Sequence, residues 1–543
     1  MIRKILFFSA LMLANIILAS AQDETNSPIQ TASNVPAGNF LYSLYDDNHA
    51  ELTGTYEILS GDVIVPGSIE YNNATYKVTV VSGLSKLYIF NSDNGTYEPA
   101  PTKWNYGIDL SDYALVSSIN FSEGIEQITD GNIVYFNHCK VINIPKTVSF
   151  ISPDTYRLPG IDSGYSDQDK AATIAPYVFA GANIKFNDIA FRVSSENADY
   201  ASVDGVLYDK DMKTLLRCPK SKEGVFVVPY GVEKIENYAF HGCILLTEVR
   251  LPESIRTIGS PDDSYFSGNC FNFCLMLKDI NIPEGVERIE YYTFRSCCNL
   301  TTLTLPSTLK YFDSSAITGN GMKISKINWQ NCSLETLLVN YPLSSPEMII
   351  SLPKSVKWIK KLEGDTYTPS LYSSECIIPE TLIIPASLEV CEANLIGGSS
   401  TKWCECLSPL KKIYAISETP LDISDGFFGY ESKKVSTSNT MNTTAVTYEE
   451  VFPQSWADQC TLYVPINAVD AYKSHDVWGR FPNIEGLNQE DIDNVTAIRN
   501  VNTSIHAESI DRVYSIDGKR LSHPQKGLNI IRKSDGTTRK IVK

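Results

Sequence analysis

Between Gly231 and Pro306 the apolar positions return in a fixed order, with polar residues filling the gaps. After Pro229, Pro252 and Pro283 an aliphatic residue stands three positions on (Val232, Ile255, Val286) and another six on (Ile235, Ile258, Ile289). A phenylalanine follows (Phe240, Phe271, Phe294), with cysteine three later (Cys243, Cys274, Cys297), leucine six later (Leu246, Leu277, Leu300) and proline twelve later. Uninterrupted copies repeat every 23 residues. A period of this size predicts a solenoid, whose coils are each too small to bury their own apolar face and must stack on their neighbours. Within each copy a short alternating run precedes the closing proline: EVRLP, DINIP and TLTLP. Alternation predicts strands with Val249 and Leu251 inward and Glu248 and Arg250 outward, and likewise Asp279, Asn281, Thr302 and Thr304 outward on the next two.

The same frame extends in both directions. Upstream, Ile125, Ile128, Phe136, Cys139 and Pro145 occupy its slots. A polar excursion from Pro153 to Lys170 interrupts the next coil, and the stretch Ser202 to Pro219 predicts a hairpin turning at Asp209-Lys210-Asp211. Downstream, Leu309 and Phe312 follow Pro306 at three and six, Val356 and Ile359 follow Pro353, and Leu388 and Cys391 follow Pro385. The pattern fades from Ala393, and Gly426 to Glu450 is expected to be a Ser/Thr/Asn-rich surface loop. CTLYVPINAVDAYKSHDVWGRFPNIEG predicts a closing strand, a short helix capped by Asn467, and a cover built on Trp478, Phe481 and Ile484. The organisation expected is a signal peptide at 1–21, a flexible leader at 22–38, an N-terminal β cap at 39–110, the solenoid with insertions and C-terminal cap at 111–486, a linker at 487–500, and a C-terminal β module at 501–543 holding three β runs.

Length changes little here, because a chain of 543 residues exceeds one compact core but suits a fold that grows in one dimension. The first residues change more. Arg3 and Lys4, the apolar run Ile5 to Leu18 and the small residues Ala19-Ser20-Ala21 form a secretory signal, so the chain is expected to be exported, with no membrane span after cleavage. A net charge of −17 argues against nucleic acid and anionic lipid as partners. The tail departs from it, since Arg512 to Lys543 carries nine Lys or Arg against Asp517 and Asp535. Thirteen cysteines in an exported chain suggest disulfides, yet the number is odd and four of them (Cys139, Cys243, Cys274, Cys297) share the Phe-x-x-Cys slot, where small apolar fillers are expected. Neighbouring rungs lie within the Cα range of a disulfide, although parallel Cβ vectors disfavour one.

The proline-framed repeat, the hairpin DGVLYDKDMKTLLRCP and the ending CTLYVP…AYKSHDVWGRFPNI together resemble the BspA-like leucine-rich repeat proteins of bacterial cell surfaces, over Phe40 to Ile484. The resemblance implies a β-rich right-handed repeat solenoid with β caps and a role in recognition or adhesion, with no catalytic residues to carry over. VYSIDGKRL…KGLNIIRKSDGTTRKIVK resembles the C-terminal domains that address proteins to type IX secretion, which implies the secretion machinery as a partner and the outer-membrane surface as destination.

Candidate chemistry is confined to the outward strip. Glu248, Arg250, Asp279, Asn281, Thr302 and Thr304, with Lys326, Asn328, Tyr414 and Tyr463 on later rungs, are expected to face an extracellular protein or glycan. The six histidines are scattered and no zinc, nucleophile-elbow or phosphate-loop motif occurs. Cys404-Glu405-Cys406 has no second ligand cluster at zinc spacing, and the acidic pairs Asp46-Asp47, Asp262-Asp263 and Asp491-Asp493 lack calcium-loop spacing, so no catalytic residue, metal or cofactor is expected. Two other readings stay open: a structural or glycan-handling accessory of the envelope, and a hydrolase whose carboxylates meet only in space.

Overall fold

The computed structural model describes residues 28–84, 86–99, 115–129, 136, 138–152, 189–259, 268–318, 324, 326–329, 331–339, 352–361, 370–372, 380–396, 410–423, 427–428, 431–440, 443–495, 512–515, 520–521, 528–532 and 538–542. The signal segment, the excursion after Pro153, Asp262-Asp263 and Cys404 to Cys406 lie outside them. The chain divides into two units: Met1–Ile350 with Val356–Ile377 and Glu392–Ser400, and Ser351–Ser355 with Ile378–Cys391 and Thr401–Lys543.

The first unit is a leucine-rich repeat solenoid built from two parallel ladders. It opens with antiparallel strands Gln30–Ala37, Phe40–Tyr45 and His49–Thr55, after which every step is parallel: His49–Thr55 onto Ala74–Val81, then Gln127–Ile128, then Phe150–Ile151. The facing ladder begins at Gly61–Val65 and continues through Val116–Phe121, Val141–Ile144 and Ala190–Val193. Two expectations are corrected. Gln30–Ala37 is a paired edge strand, not leader: Gly38 (φ 60°) turns the chain back, Val35 is buried, and the Ser, Thr and Asn that suggested flexibility occupy the bulged solvent side. Parallel stacking also starts at Gly61, inside the stretch expected to be cap, because Val63 and Val65 already present the inward pattern.

The hairpin forms as Val206–Asp209 against Thr214–Arg217, preceded by Tyr200–Val203. Asp204 (φ 50°) and Gly205 (φ 81°) make the turn between the first two strands, where paired positive φ values match the strand twist. Thr214–Arg217 then starts a ladder with Lys234–Ile235 and Thr257–Ile258, and Arg288–Ile289, Tyr311–Asp313, Thr336–Leu338 and Trp358–Lys360 repeat it. Opposite run Gly224–Val227, Leu246–Arg250 and Asp279–Asn281, and Thr302–Thr304 with Lys326–Asn328.

Between the ladders the repeat residues form columns. Phe240 and Phe271 stack at 5.0 Å, Phe271 and Phe294 at 5.6 Å, and all three are fully buried. The slot cysteines are free buried thiols, which settles the disulfide question for them. Cys243, Cys274 and Cys297 each have a carbonyl partner one coil back, with Cys274 Sγ 3.2 Å from the Phe240 oxygen and Cys297 Sγ 3.2 Å from that of Phe271, whereas Cys139 Sγ meets the Val141 oxygen of its own coil at 3.4 Å. Burial pushes the Cys139 thiol up to about 11 and those of Cys274 and Cys297 higher still, so none is a nucleophile in the folded state. The turn around each phenylalanine holds two left-handed residues, at Tyr238, Asn269 and Tyr292 before it and Gly242, Phe273 and Ser296 after it. Only one of these six is glycine, so the slot is imposed by the stack rather than chosen by local preference.

The coils also alternate in kind. Gly231 and Gly285, both at φ 100°, donate their backbone N–H to Ser254 and Thr308 of the following coil, whose hydroxyls donate in turn to the Val232 and Val286 carbonyls; Gly124 and Thr147 make the same clamp. Two residues further on the charge alternates as well, through Lys213, Glu233, Arg256, Glu287, Lys310, Glu335 and Lys357. Lys213 pairs with Glu233 at 2.5 Å, Lys310 with Glu287 at 2.8 Å, and Lys357 with Glu335 at 3.3 Å. The charge period is therefore two coils, while the glycine of the clamp gives way after Thr308 to Ser333 and Ser355.

In the second unit the parallel strands Thr381–Ile384, Lys412–Ala415, Thr461–Pro465 and Asn483–Leu487 form one sheet, so rungs continue beyond Ala393. Phe427, Phe428, Phe452, Trp456, Tyr472, Trp478 and Phe481 make an edge-to-face aromatic cluster behind it. The indoles of Trp456 and Trp478 donate to the Leu410 and Leu421 carbonyls at 3.1 and 2.8 Å. The helix Val469–Ser474 forms without the expected cap: Ala468 holds the N-cap position and Asn467 lies in a preceding 3-10 turn. The expected loop at 426–450 is instead a long hairpin, Glu431–Thr440 against Thr443–Val451, whose β-branched Val and Thr content outweighs the turn-forming Ser and Asn. In the expected linker, residues 489–495 are helical; Asn488 accepts from Asp491 N–H, and the Asp491 carboxylate accepts from Asn488 N–H. The terminal module is a four-stranded antiparallel sheet, since the first of its three expected runs folds into two strands, Arg512–Ser515 and Arg520–Leu521.

Candidate binding surface

Each rung has a dry side and a wet side, and the expected strip occupies the wet one. Val249, Leu251, Ile280, Ile282, Leu303 and Leu305 are buried, which leaves Glu248, Arg250, Asp279, Asn281, Thr302 and Thr304 facing out. Register places Glu248 beside Asp279 and Arg250 beside Asn281, and then Thr302 beside Lys326 and Thr304 beside Asn328.

These side chains are engaged with one another or with backbone. Arg250 Nε lies 2.7 Å from Glu248 Oε1 along its own strand, in a half-buried pair. Asn281 brackets the Leu251 backbone: its Oδ1 accepts from N–H at 3.0 Å and its Nδ2 donates to C=O at 2.8 Å. Asn328 Nδ2 donates to Thr304 Oγ1 at 3.1 Å. Two rungs also carry apolar residues outward, at Val225 (48% exposed) and Val227 (59%) on Gly224–Val227, and at Ile64 on Gly61–Val65.

An outward strip on the earlier ladder went unnoticed in the sequence. Asp62 stands beside the covered Ser118, and Asn120 beside Asn143; Asp62 accepts from the Ser118 and Ser117 hydroxyls at 2.7 and 2.9 Å, which lower its carboxyl below the usual range. The alternation in DVIV, SSINF and VINI was signal enough to find it.

In the second unit the outward columns are Thr381, Lys412, Thr461, Asn483 and Ile383, Tyr414, Tyr463, Glu485. Tyr414 and Tyr463 stack with centroids 4.7 Å apart and planes 13° from parallel. Burial, the neighbouring Tyr463 and the Glu485 carboxylate, in that order, raise the Tyr414 phenol above its ordinary range. Neither phenol hydroxyl, the Lys412 ammonium nor the Glu485 carboxylate makes a hydrogen bond or ion pair with the described residues. Among the described residues no three His, Cys, Asp or Glu side chains are placed to share a metal ion, and no helix is long and apolar enough to cross a membrane.

Comparison with known proteins adds the following. The family model for the BspA type Leucine rich repeat region matches in six copies, across residues 218–337 and 264–361. No curated protein matches the chain. Among solved structures, a leucine rich cell surface protein from Faecalibacterium prausnitzii is 17% identical, covering 63% of this chain and 97% of its own at a TM-score of 0.30. A leucine-rich repeat protein from Bacteroides ovatus is 14% identical over 72% and 82% at 0.32, and the pneumococcal vaccine antigen PcpA 16% identical over 85% and 97% at 0.28.

Proposed function

We propose, for a chain that belongs through residues 218–361 to the BspA-type leucine-rich repeat proteins, that it is an exported, non-enzymatic recognition protein displayed at the cell surface. Its outward rung side chains meet an extracellular protein or glycan, and its C-terminal module delivers it there. The observation that carries this reading is the division of labour in the rungs. The recurring aliphatic, phenylalanine, cysteine and leucine residues face inward and make stacking work, while the outward strand positions differ from coil to coil at Glu248/Arg250, Asp279/Asn281 and Thr302/Thr304, as a surface selected for contact rather than for folding would. The half-buried pair Glu248–Arg250 presents both signs of charge at once, and such arrangements fix partner choice more than affinity.

The test is a charge reversal of Glu248, Arg250 and Asp279 together, read against extracellular-matrix proteins and a glycan array. Weakened binding with an unchanged circular dichroism spectrum supports the reading; unchanged affinity for every bound partner removes the strip. Delivery is tested separately by deleting Arg512 to Lys543. Loss of surface display, with the protein retained inside the envelope, supports a sorting role, and normal display refutes it.

A further inference from the structure

We infer that the outward face of the sheet Thr381–Ile384, Lys412–Ala415, Thr461–Pro465 and Asn483–Leu487 is a subsite for a short neutral oligosaccharide, held on the Tyr414–Tyr463 ring pair. This rests on the recognition role proposed above and assigns it a place and a ligand class.

Three observations converge. The first is chemical availability. On the rungs of the other unit, the charged and amide groups Arg250, Glu248, Asn281 and Asn328 are engaged within the protein: Arg250 holds Glu248, Asn281 holds the Leu251 backbone and Asn328 holds Thr304. A ligand there must displace bonds already made. On this sheet the Tyr414 and Tyr463 hydroxyls, Lys412 and Glu485 have no partner among the described residues, so their hydrogen-bonding capacity is open to a ligand.

The second is ring geometry. Rings in van der Waals contact have planes about 3.5 to 4 Å apart. A centroid separation of 4.7 Å at 13° gives two near-parallel rings side by side on neighbouring strands, a small aromatic platform on the outward face. Both rings are half-buried, so the pair offers solvent apolar ring surface together with two hydroxyls. That combination suits a sugar, which offers a C–H face and a rim of hydroxyls.

The third is size and charge. Four strands about 4.8 Å apart and four or five residues long give a face of roughly 15 by 15 Å. This is a fraction of the about 800 Å² that each partner contributes to a stable protein interface. The face carries one cation and one anion, Lys412 and Glu485, in a chain of net charge −17, so nothing in it selects a charged polymer and the whole chain repels a polyanion. Donors and acceptors around an aromatic pair, without net charge and over a small area, match a neutral glycan.

The experiment uses the full exported chain with three probes: neutral gluco-, manno-, xylo- and galacto-oligosaccharides, sialylated and sulfated glycans, and extracellular-matrix proteins. Calorimetry and tyrosine fluorescence report binding. The expected result is binding of at least one neutral oligosaccharide, weakened about tenfold or more by Tyr414→Ala/Tyr463→Ala. Tyr414→Phe/Tyr463→Phe keeps the rings and the packing, so it should weaken binding less, and it guards against an alanine variant that misfolds. Absence of binding by all neutral probes, binding of charged glycans alone, or affinity unchanged in both double variants overturns the subsite. Absence of neutral-sugar binding beside matrix-protein binding that depends on Glu248, Arg250 and Asp279 overturns the subsite while leaving the recognition role standing.

Discussion

Phe271 offers the sharpest test of the stacked-coil architecture. It is fully buried between Phe240 and Phe294, at 5.0 and 5.6 Å. Replacing such a ring with alanine forfeits its transfer free energy and both stacking contacts and leaves a cavity that rigid coils close only in part, a cost of about 3 to 5 kcal/mol. In a solenoid that cost falls on the mutated coil and its two neighbours. The molecule carries its own reporters, because Cys243, Cys274 and Cys297 sit beside the column as buried thiols, and burial holds those of Cys274 and Cys297 well above the ordinary range. A thiol reagent reaches them only through local opening, and when opening is fast its rate tracks the opening equilibrium. Phe271→Ala should therefore speed labelling of Cys274 and Cys297 by roughly a thousandfold at a central value of about 4 kcal/mol, resolved cysteine by cysteine by mass spectrometry. Labelling of Cys139, well outside the neighbouring coils, should stay as it was. Acceleration below tenfold at Cys274 and Cys297, or equal acceleration at Cys139, refutes the column as the seat of local stability.

Other predictions follow the same logic. Gly268 has φ 82°, and a Cβ there would lie 2.0 Å from the Tyr291 carbonyl oxygen, so Gly268→Ala should cost more than about 2 kcal/mol in denaturant titration; a smaller loss shows that the turn can shift. His241 is 6% exposed, and burial first, then Lys220, Arg217 and Arg295, hold its imidazole well below the ordinary value. A depressed histidine binds its proton more readily when unfolded, so stability should fall as pH drops below about 6.5, by at most about 1.4 kcal/mol per unit, until the folded value is reached. His241→Gln should flatten that part of the pH profile, and an unchanged slope contradicts the assignment. Glu287→Lys sets a second cation against Lys310 and should speed Cys297 labelling in low salt; added salt and the exchange Glu287→Lys/Lys310→Glu should each restore it. Failure of the exchange to restore would show the pair to be incidental.

Inward positions were legible because burial leaves the strongest mark on a sequence. Val249, Ile280 and Leu303 had to be apolar, and Phe240, Phe271 and Phe294 had to match one another to stack. Other features answer to weaker pressures. Gln30–Ala37 looks like leader because an edge strand buries little beyond Val35, and its pairing depends on Phe40–Tyr45 returning past Gly38. The hairpin Glu431–Thr440 and Thr443–Val451 is rich in Ser, Thr and Asn, which turn and strand share. Asn467 has a capping side chain, but the 3-10 turn Ile466–Ala468 carries it one residue too early to reach the first helical amides. On the outward face, alternation showed which residues point to solvent. That Glu248 and Arg250 hold each other while Tyr414 and Tyr463 stack with idle hydroxyls was hidden, because it depends on neighbours brought together by stacking.

The two-coil period has a consequence for how this chain can lengthen or shorten. Acidic coils with Glu233, Glu287 or Glu335 alternate with basic coils carrying Arg256, Lys310 or Lys357, so two coils of one kind placed together set like charge against like. Excising one coil creates that mismatch at the seam; excising two keeps the signs alternating. The alternation of charge thus favours duplication within the repeat in even steps, which keep each exposed acid beside a base.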